Sequence, residues 1–347
     1  MTDTIPPGDD LRTEDLPIED LPPIEPPSAG FIVQLFIVPL LIVSVVFGVY
    51  VLFAKMASVE ADWRQLVTDV RSENRHIRWR AALGLAQLLE ADHQQIRRGS
   101  SAQPRTRLAE NHEVAEALAD LYEGLAQKST PTEEETLQIE FLSKTLGLVD
   151  VDDVAIPTLL AGASPEVIPV IRKHSTNGLT FILGRRHAAD GKYEHPELQL
   201  KILEMSREPE LLVRHQATYL LGLLATPAAL GRAEELLDDG DDLTRVNAAI
   251  ALARNDSTTS LPTFLRLLQD AVEWKLDPGA VETPASQSEY FERSLMIKNS
   301  LEAVNQLRSQ LTAENREQFA AALQAFAASC EDIELRNKAT ELQLNLQ

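Results

Sequence analysis

The chain has 347 residues, and aromatic residues make up only 5% of them while Leu and Ala abound, which suits close helix–helix packing more than a sheet sandwich. The formal net charge is −21, from 53 acidic against 32 basic side chains. An excess of that sign argues against nucleic acid, whose phosphates need clustered Lys and Arg. Cys330 is the only cysteine, which leaves no intrachain disulfide framework and no Cys-based metal site; a buried place in a helix is the expectation for it.

Residues 1–30 are Pro-rich and acidic, with Asp3, Asp9, Asp10, Glu14, Asp15, Glu19, Asp20 and Glu25 set against Arg12 alone. So little apolar surface cannot offset the entropy of ordering, and the segment is expected to be disordered. Residues 31–54 carry no charge and consist mainly of Val, Ile, Leu and Phe. As a helix this run would rise about 36 Å, enough to cross a hydrocarbon core of about 30 Å, so the expectation is a single transmembrane helix. Ser44 and Gly48 form a small-xxx-small pair through which two such anchors could pack. Lys55, Arg64 and Arg71 on the C-terminal flank outnumber Arg12 on the other, which places the large domain in the cytoplasm.

From residue 59 to the C-terminus one motif keeps returning. Ile77-Arg78-Trp79-Arg80-Ala81-Ala82, Val213-Arg214-His215-Gln216-Ala217-Thr218, Thr244-Arg245-Val246-Asn247-Ala248-Ala249 and Leu335-Arg336-Asn337-Lys338-Ala339-Thr340 each lead into a Leu-rich stretch. Looser copies start at Ile171-Arg172 and Ile297-Lys298, and the weakest is centred on Ile139. Four residues before the Arg-type position stand Asn74, Glu210, Asp241, Ser294 and Asp332, with Glu135 in the weakest copy. Asn, Asp and Ser accept from the free amides of a first helical turn, and acids favour the positive end of the helix dipole, so these are candidate N-caps. The paired Ala residues admit a close neighbour and the following Leu residues make a buried stripe, which defines the second helix of a repeated pair. Upstream, Thr226-Pro227, His195-Pro196, Leu261-Pro262 and Thr312 open the first helices. The Ile171-Arg172 copy has Ile168 in place of the cap and Gly178 inside the helix, which predicts a bent or short unit.

These residues resemble the HEAT repeat family, particularly the short bacterial HEAT-like units of the PBS-lyase type. The resemblance is strongest over residues 226–270, where the Thr-Pro start, Asp241, Arg245 and Ala248-Ala249 fall in family order. It implies an all-α, armadillo-like solenoid, an α-α superhelix. It also implies an Arg–acid ladder between adjacent repeats: Arg214 with Asp241, or Arg245 with Glu210. Repeat-structural roles thus fall to Arg78, Arg172, Arg214, Arg245 and Arg336, and to Asn74, Glu210, Asp241 and Asp332.

The intervals from 78 to 139 and from 245 to 298 are the longest, and they hold insertions at 91–109 and 271–288 that read as exposed loops. Arg97, Arg98, Arg105 and Arg107 in the first form a basic patch, either a solvated loop or a docking site for anionic lipid or an acidic partner. Trp79 is either an interface anchor on the concave surface or packed against the preceding helix. The seven histidines show no ligand spacing, and no nucleophile or phosphate-loop motif is present, so no metal, cofactor or catalytic residue is expected. The expected function is a membrane-anchored scaffold that binds protein partners, not an enzyme. The alternative, which the resemblance alone implies, is a catalytic or chromophore-handling protein of the lyase-like type.

Overall fold

The computed structural model describes residues 37, 40, 41, 43–49, 62–97, 107–190, 193–274 and 276–346. The chain divides into two compact units, Met1–Glu60 and Ala61–Gln347. In the first, the described residues are helical, and the expected disorder of 1–30 lies outside them. The membrane assignment is corrected. No helix among the described residues is long and apolar enough to cross a membrane, which takes about 20 consecutive apolar residues. Of the expected 31–54 span, only 37, 40, 41 and 43–49 are described, and the rest lies outside the described residues.

The second unit is helical throughout its described residues apart from turns and short 3₁₀ segments. In chain order the helices are α1 Trp63–Val70, α2 Arg75–Arg97, α3 His112–Ala126, α4 Glu133–Leu146, α5 Asp152–Gly162, α6 Pro169–Asp190 and α7 Pro196–Met205. There follow α8 Leu211–Leu224, α9 Pro227–Leu236, α10 Asp242–Arg254, α11 Leu261–Ala271, α12 Pro284–Gln306, α13 Ala313–Ser329 and α14 Ile333–Leu346. Each odd helix pairs with the even helix after it, and each even helix packs on the next even one. The odd helices make a looser second layer.

The starts are set by local chemistry. Thr226 and Thr312 accept from the amides of Ala229 and Asn315, and Pro227 fills the first position of α9. His195 caps α7 through its ring nitrogen. Asn74, Asp241 and Asp332 accept from first-turn amides of α2, α10 and α14, at 3.0, 2.8 and 2.8 Å. Two expected caps move. Ser294 lies inside α12, whose cap is Thr283. Glu135 is the third residue of α4, where it completes a capping box with Thr132. Lys128 and the Thr132 amide hold its carboxyl down at about 2. The register of α4 therefore shifts, and Thr136, not Ile139, stands where the other copies carry Arg.

Close approach of the even layer comes from small residues. A Cβ at Gly222 of α8 would lie 2.5 Å from the Ala251 Cα of α10, and one at Gly178 of α6 would lie 2.5 Å from the Ser143 carbonyl of α4. Gly178 thus lets α6 pack closely, and α6 is neither short nor broken. The 271–288 insertion is exposed over most of 278–288, as expected, but it is anchored at one point. Its Leu276 is buried, its carbonyl accepts from the amides of Glu331 and Asp332 ahead of α14, and residues from Pro284 onward already belong to α12. Cys330 is buried at the end of α13, and burial pushes its thiol up.

Candidate functional site

The even helices are held in register by a seam of arginines. Nη1 of Arg78 donates to the Ser72 carbonyl at 3.1 Å, that of Arg214 to Glu208 at 2.8 Å and that of Arg245 to Asp239 at 2.6 Å. Each acceptor lies six residues upstream, in the turn between the two helices of a pair. The side chains of those turns reach the other way. Glu208 pairs with Arg172 of the preceding pair, and Asp239 with Arg214 at 3.5 Å. Each turn acid is therefore bound through its carbonyl by its own pair's Arg and through its carboxylate by the Arg of the pair before. Arg172, which is buried, also donates to the Ala163 carbonyl at 3.0 Å.

This ladder differs from the one the family resemblance implies. Arg214 does not pair with Asp241, nor Arg245 with Glu210. Asp241 is turned into its own helix, where it accepts from the Thr244 amide and hydroxyl, and it meets His215 Nε2 of the preceding pair at 2.6 Å. Arg245 pairs with Asp242 of its own first turn, and Glu210 makes no side-chain cap. The acid that meets the Arg of the preceding pair is the one two residues before the cap position, Glu208 or Asp239. Arg336, on α14, is exposed, and its guanidinium makes no ion pair among the described residues.

The expected basic patch is also rearranged. Arg107 is bound to Glu110 at 2.7 Å and to Asp150 at 2.8 Å, where Arg185 joins it at 2.9 Å. Arg186 and Tyr193 hold the adjacent Asp152 at 3.0 and 2.5 Å. Burial pulls the Arg185 guanidinium down, against the pull of Asp150. Arg107, ahead of α3, thus makes a structural ion pair to the turn before α5. Arg98, Arg105 and the Arg97 side chain lie outside the described residues.

The open face of the even layer is the candidate site. Along each helix the least buried positions recur every three to four residues, as expected for one uncovered helix face. They place Trp79 and Leu83 on α2, Leu137 and Phe141 on α4, Lys173, Asn177 and Phe181 on α6, and Leu212, His215 and Tyr219 on α8. Among the described residues of the second unit, the large apolar side chains left exposed lie on even helices, with Leu200 of α7 the exception. Leu137 is 61% exposed, Phe291 60% and Phe181 43%. Trp79 is half-buried, its ring edge-on to Phe141 of the following pair at 5.1 Å, so it packs forward along the stack. His174, at the margin of this face, is nearly buried, and burial pushes its imidazole down despite Glu140 at 4.0 Å. Apart from caps and tryptophan, this face was not legible as a site in the sequence. Its signal was the set of apolar residues one turn off the buried stripe.

A two-layer stack of helix pairs with an open face on its second helices defines an α-solenoid. The family of HEAT repeats matches at residues 200–282, from α7 to the segment after α11. No curated protein matches the sequence. Among solved structures, the chain is similar to the Kap95:Nup1 complex, at 12% identity and a TM-score of 0.46 over 86% of this chain and 37% of that one. It is similar to E. coli YibA at 14% and 0.35, over 85% and 96% of the two chains. Human deoxyhypusine hydroxylase in complex with glycerol aligns at 16% and 0.29, over 84% and 98%. The chain spans little more than a third of the Kap95 chain it aligns with, and none of these likenesses assigns a partner or an activity.

Proposed function

We propose that the second unit is a protein-binding scaffold whose partner lies along the even-helix face. The observation that carries this is the segregation of exposed large apolar side chains to one layer, from Leu83 through Leu137, Phe181 and Leu212 to Phe291 and Leu295. Apolar side chains left uncovered along one continuous face mark an association surface, since folding alone would have no reason to leave them in water on that side. A solenoid presents such a face at length, so many modest contacts add up. The scaffold reading also suits the polar pairs of the stack. His215 with Asp241 ties α8 to the pair that follows, and Tyr193 with Asp152 ties the link after α6 back to the start of α5.

The test is crosslinking of the full chain to its partner, followed by identification of the captured protein. Leu137→Glu and Phe181→Glu should remove the crosslinked partner, whereas Leu200→Glu on the other layer should leave it. Equal recovery from all three variants would sink the assignment of the face.

A further inference from the structure

The even-helix face changes chemistry along the stack, and the geometry points to an acidic protein segment bearing apolar residues as the partner of its middle part. This inference rests on the even-helix face being the binding surface. The sequence of α6, α8 and α10 holds acidic residues only at Asp190 and Asp242, the last residue of one helix and the first of another. The same helices carry Arg172, Lys173, Arg185, Arg186, Arg214, Arg245 and Arg254. In a chain with 53 acidic residues against 32 basic, three consecutive even helices of that composition stand out.

Most of these cations are committed. Arg172, Arg185, Arg186, Arg214 and Arg245 are bound to acids, three of which lie in the turns between helices and two at helix starts. Lys173 and Arg254 make no ion pair among the described residues, and both are half-buried on the open face. The acid that Lys173 feels is Glu140, whose carboxylate is already bound by Lys144 at 2.6 Å. Arg254 is held over the Tyr219 ring of α8, its guanidinium carbon 4.5 Å from the ring centroid. Its Nη1 is out of contact with solvent and has no hydrogen-bond partner. Tyr219, Arg254, Asn299 and Gln306 line a cavity of about 200 Å³ with Glu302, which itself leans toward Lys338 at 3.7 Å.

An oriented, partly desolvated guanidinium is a strong receptor for carboxylate, because little hydration is lost on binding and the fork is already placed. Asn177 and Asn299 add amide groups that can meet a peptide backbone. Phe181 and Tyr219 supply apolar contact between the two cations. Lys173 and Arg254 are two helix spacings apart and about eight residues offset along the helix axes, about 20–23 Å, a span of six to seven extended residues. The net charge of −21 does not oppose this. At physiological salt, charges beyond about 8 Å are largely screened, so the local strip decides.

The probe is a fluorescein-labelled 12-residue peptide of Asp, Leu, Gly and Ser with two Asp pairs six residues apart, titrated against the full chain by anisotropy. A second peptide carries Lys for every Asp. The acidic peptide should bind more tightly than the basic one. Lys173→Glu and Arg254→Glu should each weaken it about tenfold or more, as loss of a charge-assisted hydrogen bond does. Arg316→Glu, an equal charge change on an exposed odd-helix site, should weaken it less than about twofold. Lys173→Gln and Arg254→Gln, checked for unchanged melting, serve if charge reversal unfolds the chain. Failure of the acidic peptide to bind in preference to the basic one, or equal loss with Arg316→Glu, overturns the inference. The scaffold reading would survive that outcome, since it stands on the Leu137→Glu and Phe181→Glu crosslinking.

Discussion

Arg172 and Arg336 occupy the same place in the repeat and do different work. Arg172 is buried, with its guanidinium bound to the Ala163 carbonyl and to Glu208 of the next pair. Arg336 lies in α14, the last described helix, where it is exposed and makes no ion pair among the described residues. Arg172→Ala should lower stability by about 2–3 kcal/mol, because it leaves a buried carbonyl and a partly buried carboxylate without a donor. Arg336→Ala should change it by less than about 0.5 kcal/mol. Urea melts of the two variants decide this, and equal midpoints would show that the ladder does not couple the pairs. The motif alone could not separate these residues. It records that an Arg is present, while its partner sits on a turn about 25 to 36 residues away, as for Arg214 with Asp239 and Arg172 with Glu208.

At the scale of the helices, the spacing of the even layer depends on where side chains are missing. Gly222 faces the backbone of α10, where an added Cβ would stand 2.5 Å from the Ala251 Cα, whereas Gly231 of α9 has nothing within 4 Å. Gly222→Ala should therefore destabilise by about 1–3 kcal/mol, since backbone cannot turn aside as a side chain can. Gly231→Ala should stabilise by about 0.5–1 kcal/mol through helix propensity alone. Thermal melts of both variants should shift in opposite directions; a shared direction would mean that α8 and α10 do not meet as closely as described. Caps made the helix starts readable where the side chain and the amides it satisfies are neighbours in sequence, as at Thr226 and Asp241. They misled at Ser294, where the real cap, Thr283, lies a further three turns upstream and α12 is long enough to include both the insertion's end and the motif.

Across the whole second unit the buried apolar residues form two clusters that share α10. Ala248, Ala251 and Leu252 belong to the first, which begins at Val67, and Val246, Ala249, Ile250 and Ala253 to the second, which ends at Leu346. Stacks of this kind hold together by neighbour contacts, so a break between clusters is a place where cooperativity divides. Native-state hydrogen exchange should show α11–α14 opening as a unit at a lower free energy than α2–α8. Uniform protection across both groups would argue for one cooperative block.

The sequence by itself determined the helix-pair repeat, its buried stripes and the caps at Asn74, Asp241 and Asp332, because each is encoded within a few residues along one helix. Ala81-Ala82, Ala217 and Ala248-Ala249 are buried as such a stripe requires. The tertiary structure alone decided which acids the arginines meet, why Gly178 is tolerated and which helix face stays open. Those facts depend on the juxtaposition of residues one repeat or more apart, and no local pattern fixes the rotation of one pair on the next. The apolar run at 31–54 shows the converse limit. Composition set an expectation of a membrane span, but spanning requires a continuous helix of sufficient length, and none is present among the described residues.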